Sequence, residues 1–348
     1  MKKVSIIIVN WNGLHHLKKC LPTLIKINYP NYEIVVVDNY SNDGSLEYIN
    51  KNYPKCRVIQ NKRNLGFAGG NNVGYKKAKG EYILFLNNDT YVTKTFVTEM
   101  VNVLESDSSI AGVQAKIYSM DHHNKLDSIG AFLTNTGFLY HYRYLQEDQV
   151  KYDKEIYLYT AKGACMMFRK SIIEKVGLFD EDFFAYFEET DFCHRVWLAG
   201  YTVMYAPKAV IYHKIGGTAN SMNNAFIQYH SFKNRINSYL KNLGSSEVIK
   251  IFPLHFIFCE IAALGFLFKG KPALFLAINK AILWNIKSFK KTMEKRKKVQ
   301  YSIRKKDDSE FINKIKVDPG FSYYYSLFKT SLAGYKDTKV INNTLHAN

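Results

Sequence analysis

The chain has 348 residues, enough for one large domain or one domain with a sizeable extension, and 47% of them are apolar, ample for a buried core. Its five cysteines are scattered, odd in number and without CxxC spacing, which argues against a disulfide framework or a zinc site and suits a reducing compartment. The net charge of +18 is uneven: residues 241–348 hold 20 Lys and Arg against 8 Asp and Glu, a surplus that suits nucleic acid, anionic lipid or a phosphorylated ligand.

The start of the chain is basic, but its apolar run stops at Asn10, too short for the apolar core of a signal sequence. Lys3–Val9 therefore reads as a strand buried on both faces, as in a parallel sheet. Leu14–Ile27 follows with helical spacing, and Glu33–Val37 is a second, β-branched strand. A helix from Ser45 to about Asn52, a strand at Arg57–Gln60, a helix over Gly69–Ala78, a strand at Tyr82–Leu86 and a helix over Thr95–Ser106 complete the regular part. This alternation predicts βαβ units, right-handed crossovers and a mostly parallel, Rossmann-like sheet with helices on both faces. Further on, Val113–Ile117, Gly137–Tyr140, Tyr157–Tyr159, Gly163–Phe168, Val203–Tyr205 and Val210–Tyr212 read as short strands. Ser171–Val176 and Asp191–Ala199 read as helices, the second ended by Gly200.

Open parallel sheets bind ligands beyond the carboxyl ends of their strands. Here four strand ends carry amides or acids: Asn10–Asn12, Asp38–Asn39, Asn61–Asn64 and Asn87–Asp89. One such end is an ordinary turn; four together point to a shared ligand crevice. A carboxylate at Asp89 can hold a hard divalent cation that bridges a diphosphate, since such an ion needs only one or two protein carboxylates. His213 ends a strand just before Gly216-Gly217-Thr218 and is a second ligand candidate, although a lone histidine there is more often a hydrogen-bonded loop residue. Glu188, Glu189 and Asp191 sit among Phe183, Phe184, Tyr186, Phe187 and Phe192. Apolar surroundings tune carboxylates towards proton transfer, while acids in a first helical turn also suit the helix dipole.

Six segments in this order, Val4–Asn12, Val37–Ser45, Asn64–Asn72, Leu84–Asp89, Gly163–Met167 and Phe179–Asp191, resemble family 2 glycosyltransferases, and more narrowly their rhamnosyltransferase-like branch. The resemblance covers about residues 3–240. It implies a GT-A fold that binds a nucleotide-diphosphate sugar in the presence of Mg²⁺ or Mn²⁺. Asp38 matches the acid that bonds the nucleobase, and Trp11 the residue packed on it. Asn10, Asn39, Asn64, Asn71 and Asn88 fall within the donor-binding motifs. Asp89 matches the last acid of the DxD metal motif, whose first position is Asn87 here, and His213 matches a histidine that joins the metal in some relatives. Glu189 matches the general base, with Glu188 and Asp191 beside it. The implied activity is inverting sugar transfer to a hydroxyl of a glycan or lipid-linked acceptor in cell-surface polysaccharide synthesis.

The expected division is a catalytic domain over 1–240 and a basic helical extension over 241–348. Residues 251–268 and 273–286 are strongly apolar, and Lys287–Lys306 then holds ten Lys and Arg against Glu294. This order reads as an in-plane anchor on the anionic, cytoplasmic face of the membrane; the alternative is a helical pair packed on the catalytic domain. A nucleotidyltransferase would carry basic residues directly after the first strand, where Asn10–Leu14 has none. A nucleic-acid-binding protein would spread its charge among the aromatics, whereas this surplus gathers in the tail.

Overall fold

The computed structural model describes residues 1–216, 224–329, 332 and 335–344. In chain order its elements are β1 (Val4–Asn10), α1 (Leu14–Leu24), β2 (Tyr32–Asp38), α2 (Ser45–Asn52), β3 (Arg57–Gln60), α3 (Gly66–Lys77), β4 (Tyr82–Leu86), β5 (Thr90–Val92) and α4 (Phe96–Ser106). There follow β6 (Ile110–Ser119), β7 (Ala131–Phe132), β8 (Tyr140–His141), β9 (Cys165–Arg169), α5 (Lys170–Val176), α6 (Glu188–Leu198) and β10 (Thr202–His213). The remainder is helical: α7 (Asn224–Asn242), α8 (Ser245–Phe268), α9 (Pro272–Lys287), α10 (Phe289–Lys298), α11 (Asp308–Ile315) and α12 (Phe321–Lys329).

Eight strands form one sheet in the order β3-β2-β1-β4-β9-β6-β10-β5. The first four are parallel, because helices α1 to α3 carry the chain back across the sheet between them. Val4, Ile6, Ile7 and Ile8 of β1 and Val35, Val36 and Val37 of β2 are fully buried, as strands covered on both faces require. β9 runs antiparallel between β4 and β6, and β5 antiparallel along β10. This topology decides where the chemistry sits. Asn10 pairs with Asp38, Leu86 with Cys165, and Thr90 with His213. The ends of β1, β2, β4 and β10 and the start of β9 therefore meet at one rim.

Most expected elements are present, with shifted ends. The two strands expected at Val203–Tyr205 and Val210–Tyr212 are one strand, β10, with a register shift between Ala206 and Val210. Pro207 lies in that gap and has no N–H for a ladder bond. Tyr157–Tyr159 is not a strand; it makes one isolated bridge, Tyr157 to Met204. Of Gly137–Tyr140 only Tyr140 enters a strand. β5 has three residues, too few for a period to show.

The C-terminal helices are tied to the sheet domain. Lys241 Nζ lies 2.6 Å from Asp180 and 3.0 Å from Asp191. Lys295 Nζ lies 2.5 Å from Asp180 and 2.7 Å from Asp182, and Lys291 also pairs with Asp182. Leu133 donates its amide to Ile315 and accepts from Val317. Part of the basic run is thus spent inside the molecule: Arg296 caps the carbonyls of Leu240 and Leu243, and Arg304 pairs with Asp308.

Burial alone would raise the Asp180 carboxyl, but the Lys241 and Lys295 charges outweigh it and hold the group well below the ordinary carboxylate range. A depressed folded value means stabilisation that is present above the ordinary carboxylate range and lost as pH falls through it. Asp180→Asn is expected to cost about 3 kcal/mol, since it leaves the buried Lys241 ammonium and the partly exposed Lys295 ammonium each short of a partner. It should also flatten the acid limb of stability. Thermal melts between about pH 3 and 7 check this; an unchanged melting temperature would contradict the role given to the pair.

Candidate functional site

A cleft of about 310 Å³ opens at the rim where the strand ends meet. One wall is amide-rich. Asn10 Nδ2 donates to Asp38 Oδ1 at 3.3 Å and to Ser41 Oγ at 3.2 Å, while its Oδ1 accepts from Asn88 Nδ2 at 2.8 Å. The amide of Ser41 donates to Asp38 Oδ2 at 3.0 Å. Asn39 Nδ2 donates to the Gly66 carbonyl at 2.9 Å and its Oδ1 accepts from Asn61, tying the end of β2 to the loop before α3. Gly13 is required here: a Cβ would lie 2.3 Å from Asn88 Nδ2.

Of the residues expected to hold the donor, Trp11, Asn39, Asn64 and Asn88 line the cleft. Asn10, Asp38 and Asn71 do not. Asn10 and Asp38 are fully buried behind the wall, where their bonds order the loops that carry Trp11 and Ser41. Asn71 lies on α3 and donates to the Phe67 carbonyl one turn back. In this conformation Asp38 shapes the amide-rich wall and does not face into the cleft.

The second wall carries Asp89 and His213, as expected. His213 Nδ1 lies 2.6 Å from Asp127 Oδ2, and the other oxygen of Asp127 pairs with Lys162, which also lines the cleft. His213 Nε2 is 3.3 Å from Asp89 Oδ1. That is ion-pair distance without hydrogen-bond geometry, so this buried Asp89 oxygen has no hydrogen-bond partner. Burial disfavours a charged imidazole, yet the hydrogen bond to Asp127 and the charges of Asp127 and Asp89 raise His213 to about 9. Burial likewise opposes a charged Asp127, and Lys162 and His213 overturn that, holding its carboxyl below the ordinary range.

An unpartnered carboxylate oxygen beside an imidazole nitrogen fits a divalent cation. Among the described residues no group of three or more His, Cys, Asp or Glu side chains forms a cage for one. One carboxylate and one imidazole suit an ion that takes its remaining ligands from substrate phosphates and water. Gly216 also lines the cleft; Gly217 and Thr218 lie outside the described residues.

The third wall is the start of α6. Phe184, Tyr186 and Phe187 have φ of 64°, 71° and 73°, a left-handed run that bulky residues adopt only under constraint. The constraint is visible. Asn234 of α7, fully buried, donates through Nδ2 to the carbonyls of Phe183, Ala185 and Tyr186 at 3.0, 2.9 and 2.6 Å. His230 Nδ1 lies 3.0 Å from the Phe183 carbonyl, and Ala68 donates its amide to that of Phe184. The loop delivers Glu188 and Glu189 to the cleft, each with a buried Oε2 that has no hydrogen-bond partner. Burial, then the adjacent Glu189 charge, push the Glu188 carboxyl well above its ordinary range. Burial raises Glu189 too, against its own backbone amide and the Lys162 charge. Asp191 does not line the cleft. It is fully buried and held below its ordinary range by Lys241 and Arg195 despite that burial, with Asn242 Nδ2 at 2.9 Å. Its place is in the network that docks α7 on α6.

Three contributors escape a reading of the sequence. Asp127 lies in an irregular segment with no period. Lys162 directly precedes the apolar run of β9, a position that marks the rim. Asn234 belongs to a helix whose polar residues are buried, a pattern visible in the sequence only as His230, Asn234, Asn237 and Lys241 on one face.

Residues 5–177 match the family described as Glycosyl transferase family 2. Among curated proteins, the low-salt glycan biosynthesis hexosyltransferase Agl10 of Haloferax volcanii is 27% identical over 55% of this chain and 61% of its own length. The Escherichia coli UDP-Glc:alpha-D-GlcNAc-diphosphoundecaprenol beta-1,3-glucosyltransferase WfaP is 34% identical over 31% of this chain and 43% of its own. The chain thus spans less than two thirds of either relative. Among solved structures, S. aureus TarS 1-349 in complex with UDP-GlcNAc has a TM-score of 0.58 at 20% identity, covering 80% of each chain. GalNAc-T7 with UDP, GalNAc and Mn²⁺ has a TM-score of 0.56 at 16% identity, covering 71% of this chain and 49% of its own. At these identities the likeness is one of fold, and that fold is GT-A.

Gly66 has φ of 69°, and a Cβ there would lie 2.2 Å from the Phe184 carbonyl oxygen. Gly66→Ala should cost about 1–2 kcal/mol for the left-handed backbone alone and more for displacing the Phe184 loop. A melting temperature equal to that of the unaltered protein would contradict this contact.

Proposed function

From a chain that carries a glycosyl transferase family 2 domain, we propose inverting transfer of a sugar from a nucleotide-diphosphate donor to a hydroxyl of a glycan or lipid-linked acceptor. The sugar class that the motifs favour is a hexose or rhamnose. One observation carries the reading: Asp89 and Glu189, each with a buried oxygen lacking a partner, line the same cleft.

Trp11, Asn39, Asn64 and Asn88 form the wall for the nucleotide end of the donor. Asp89 and His213 would hold a divalent cation, which when bound neutralises the charge that develops on the departing diphosphate. Glu189 accepts the proton of the acceptor hydroxyl as its oxygen bonds to the anomeric carbon and the bond from that carbon to the diphosphate oxygen breaks. Raised basicity suits it to this work, which contributes typically ~10²–10⁴-fold. One displacement inverts the centre, and no carboxylate is needed as a covalent nucleophile. Glu188 keeps a second raised carboxyl beside the first.

The helical extension supports a membrane-borne acceptor. Leu254, Ile257, Ile261, Leu264 and Phe268 are exposed along α8 at alternating spacings of three and four, a single outward stripe. Leu276, Leu283 and Ile286 of α9 and Phe289 of α10 are exposed too, with Lys280, Lys287 and Lys290 among them. α8 is long and apolar enough to cross a membrane, yet its other face, with Ile251, His255, Cys259 and Ala263, packs against the protein. An in-plane seat on an anionic surface, here the cytoplasmic leaflet, fits both faces.

Glu189→Gln should retain donor binding and lose transfer by at least about a hundredfold; near-normal turnover would reject Glu189 as the base. UDP or GDP with Mn²⁺ should raise the melting temperature, by about 2.7 kcal/mol of stabilisation at a hundredfold excess over Kd, and DNA or RNA should not. Stabilisation by nucleic acid alone would reject the transferase reading. The protein should pellet with phosphatidylglycerol vesicles and be released by high salt, whereas the double variant Ile261→Asp, Leu264→Asp should stay in the supernatant. An unaltered protein that remains soluble beside such vesicles at low salt would reject the seat.

A further inference from the structure

We propose that Asp127 is a positioning residue that sets the tautomer and orientation of His213, so that Nε2 presents its lone pair to a cation held with Asp89. The proposal rests on the reading of Asp89 and His213 as cation ligands. Asp127 is fully buried and does not line the cleft, so it is not itself a ligand. Its Oδ2 lies 2.6 Å from His213 Nδ1. A carboxylate only accepts, so Nδ1 carries the hydrogen and donates it. The ring is thereby turned with Nε2 towards Asp89 Oδ1, 3.3 Å away. An acceptor bonded to the far nitrogen of a ligating imidazole fixes its tautomer and strengthens it as a ligand.

Asp127 is itself anchored. Its amide donates to the Ile117 carbonyl at 2.7 Å, and its Oδ1 pairs with the Lys162 ammonium. Gln114 Nε2 donates to the neighbouring Ser128 carbonyl at 3.1 Å, and Gln114 Oε1 accepts from the Lys162 amide at 2.7 Å. Lys162 therefore dictates which atom of residue 127 faces the histidine. In Asp127→Asn the amide oxygen stays with the Lys162 ammonium, and the NH₂ turns to His213 Nδ1. That reverses the tautomer: the hydrogen moves to Nε2, and the ligand position closes. In the double variant Asp127→Asn, Lys162→Met the ammonium is gone, the amide can rotate, and the original tautomer returns.

The test measures Mn²⁺ affinity by electron paramagnetic resonance with whichever of UDP or GDP stabilises the unaltered protein, together with nucleotide affinity in chelator. Asp127→Asn should weaken Mn²⁺ roughly 10–100-fold with metal-free nucleotide affinity unchanged. The double variant should bind Mn²⁺ more tightly than Asp127→Asn by a larger factor than Lys162→Met alone exceeds the unaltered protein, an excess that loss of the Lys162 charge by itself does not produce. Asp89→Asn is the control. If Mn²⁺ affinity survives Asp89→Asn, the cation reading beneath the proposal fails. If Asp89→Asn abolishes it while Asp127→Asn stays within twofold, the positioning role is overturned and the cation reading stands. Should Asp127→Asn not fold, ¹⁵N spectra of the His213 ring in the unaltered protein with diamagnetic Cd²⁺ decide: a hydrogen on Nδ1 and cadmium coupling at Nε2 are expected, and the reverse overturns the proposal.

Discussion

Asp89 and Glu189 each keep a carboxylate oxygen buried and without a hydrogen-bond partner at the wall of one cleft. Leaving a buried polar atom unsatisfied costs about 1–3 kcal/mol, and more for a charge. The surroundings tolerate that cost in different ways. At Asp89 the His213 imidazole stands nearby, held by a buried Asp127 that Lys162 balances. At Glu189 the carboxyl stays closer to its neutral form, because burial disfavours its charge more than Lys162 favours it. Lys162 acts on both ends, through Asp127 on one side and through its field on the other.

The two walls reach each other by different routes. Asp89 and His213 arrive through the sheet, where β10 lies along β5 and sets Thr90 opposite His213. Glu188 and Glu189 arrive through a loop that the backbone resists. Three residues of that loop hold positive φ, and one buried amide, Asn234, keeps them there. Asn234 sits on α7, and two turns further on Lys241 and Asn242 bind Asp191 at the base of α6. The helices after the sheet therefore help to build the wall that carries Glu188 and Glu189, and their basic side chains serve two ends. Lys241, Lys291 and Lys295 dock them on Asp180, Asp182 and Asp191, while Lys280, Lys287 and Lys290 remain on the outer surface with the apolar stripe.

The parallel half of the sheet was legible because β-branched runs buried on both faces have few other solutions, and β3 and β4 keep their expected bounds. Asp89, Trp11, Glu188 and Glu189 were legible for a related reason: each follows or opens a regular element whose end the topology aims at the rim. Asp38 and Asn10 lie at that rim but not in the cleft, because sequence position fixes which end of a strand a residue occupies and leaves its rotamer open, while Asn71, matched to a motif, lies within α3 and turns to the Phe67 carbonyl. Asp191 shares the acidic cluster, yet it lies two residues past Glu189 on α6, and the helical turn aims it at Lys241 instead. Asp127 and Asn234 act over long sequence separations from an irregular segment and a distant helix, and no local period reports such contacts. β9 between β4 and β6 was hidden for the same reason, since an apolar run does not disclose its direction.

The most direct test is anomalous diffraction from crystals grown with Mn²⁺ and the nucleoside diphosphate that stabilises the protein. One Mn²⁺ peak is expected, bonded to Asp89 and to the diphosphate, with the Glu189 carboxylate across the cleft and open space for a sugar between them. A peak elsewhere, or a Glu189 side chain screened from that ion by packed protein, would contradict it.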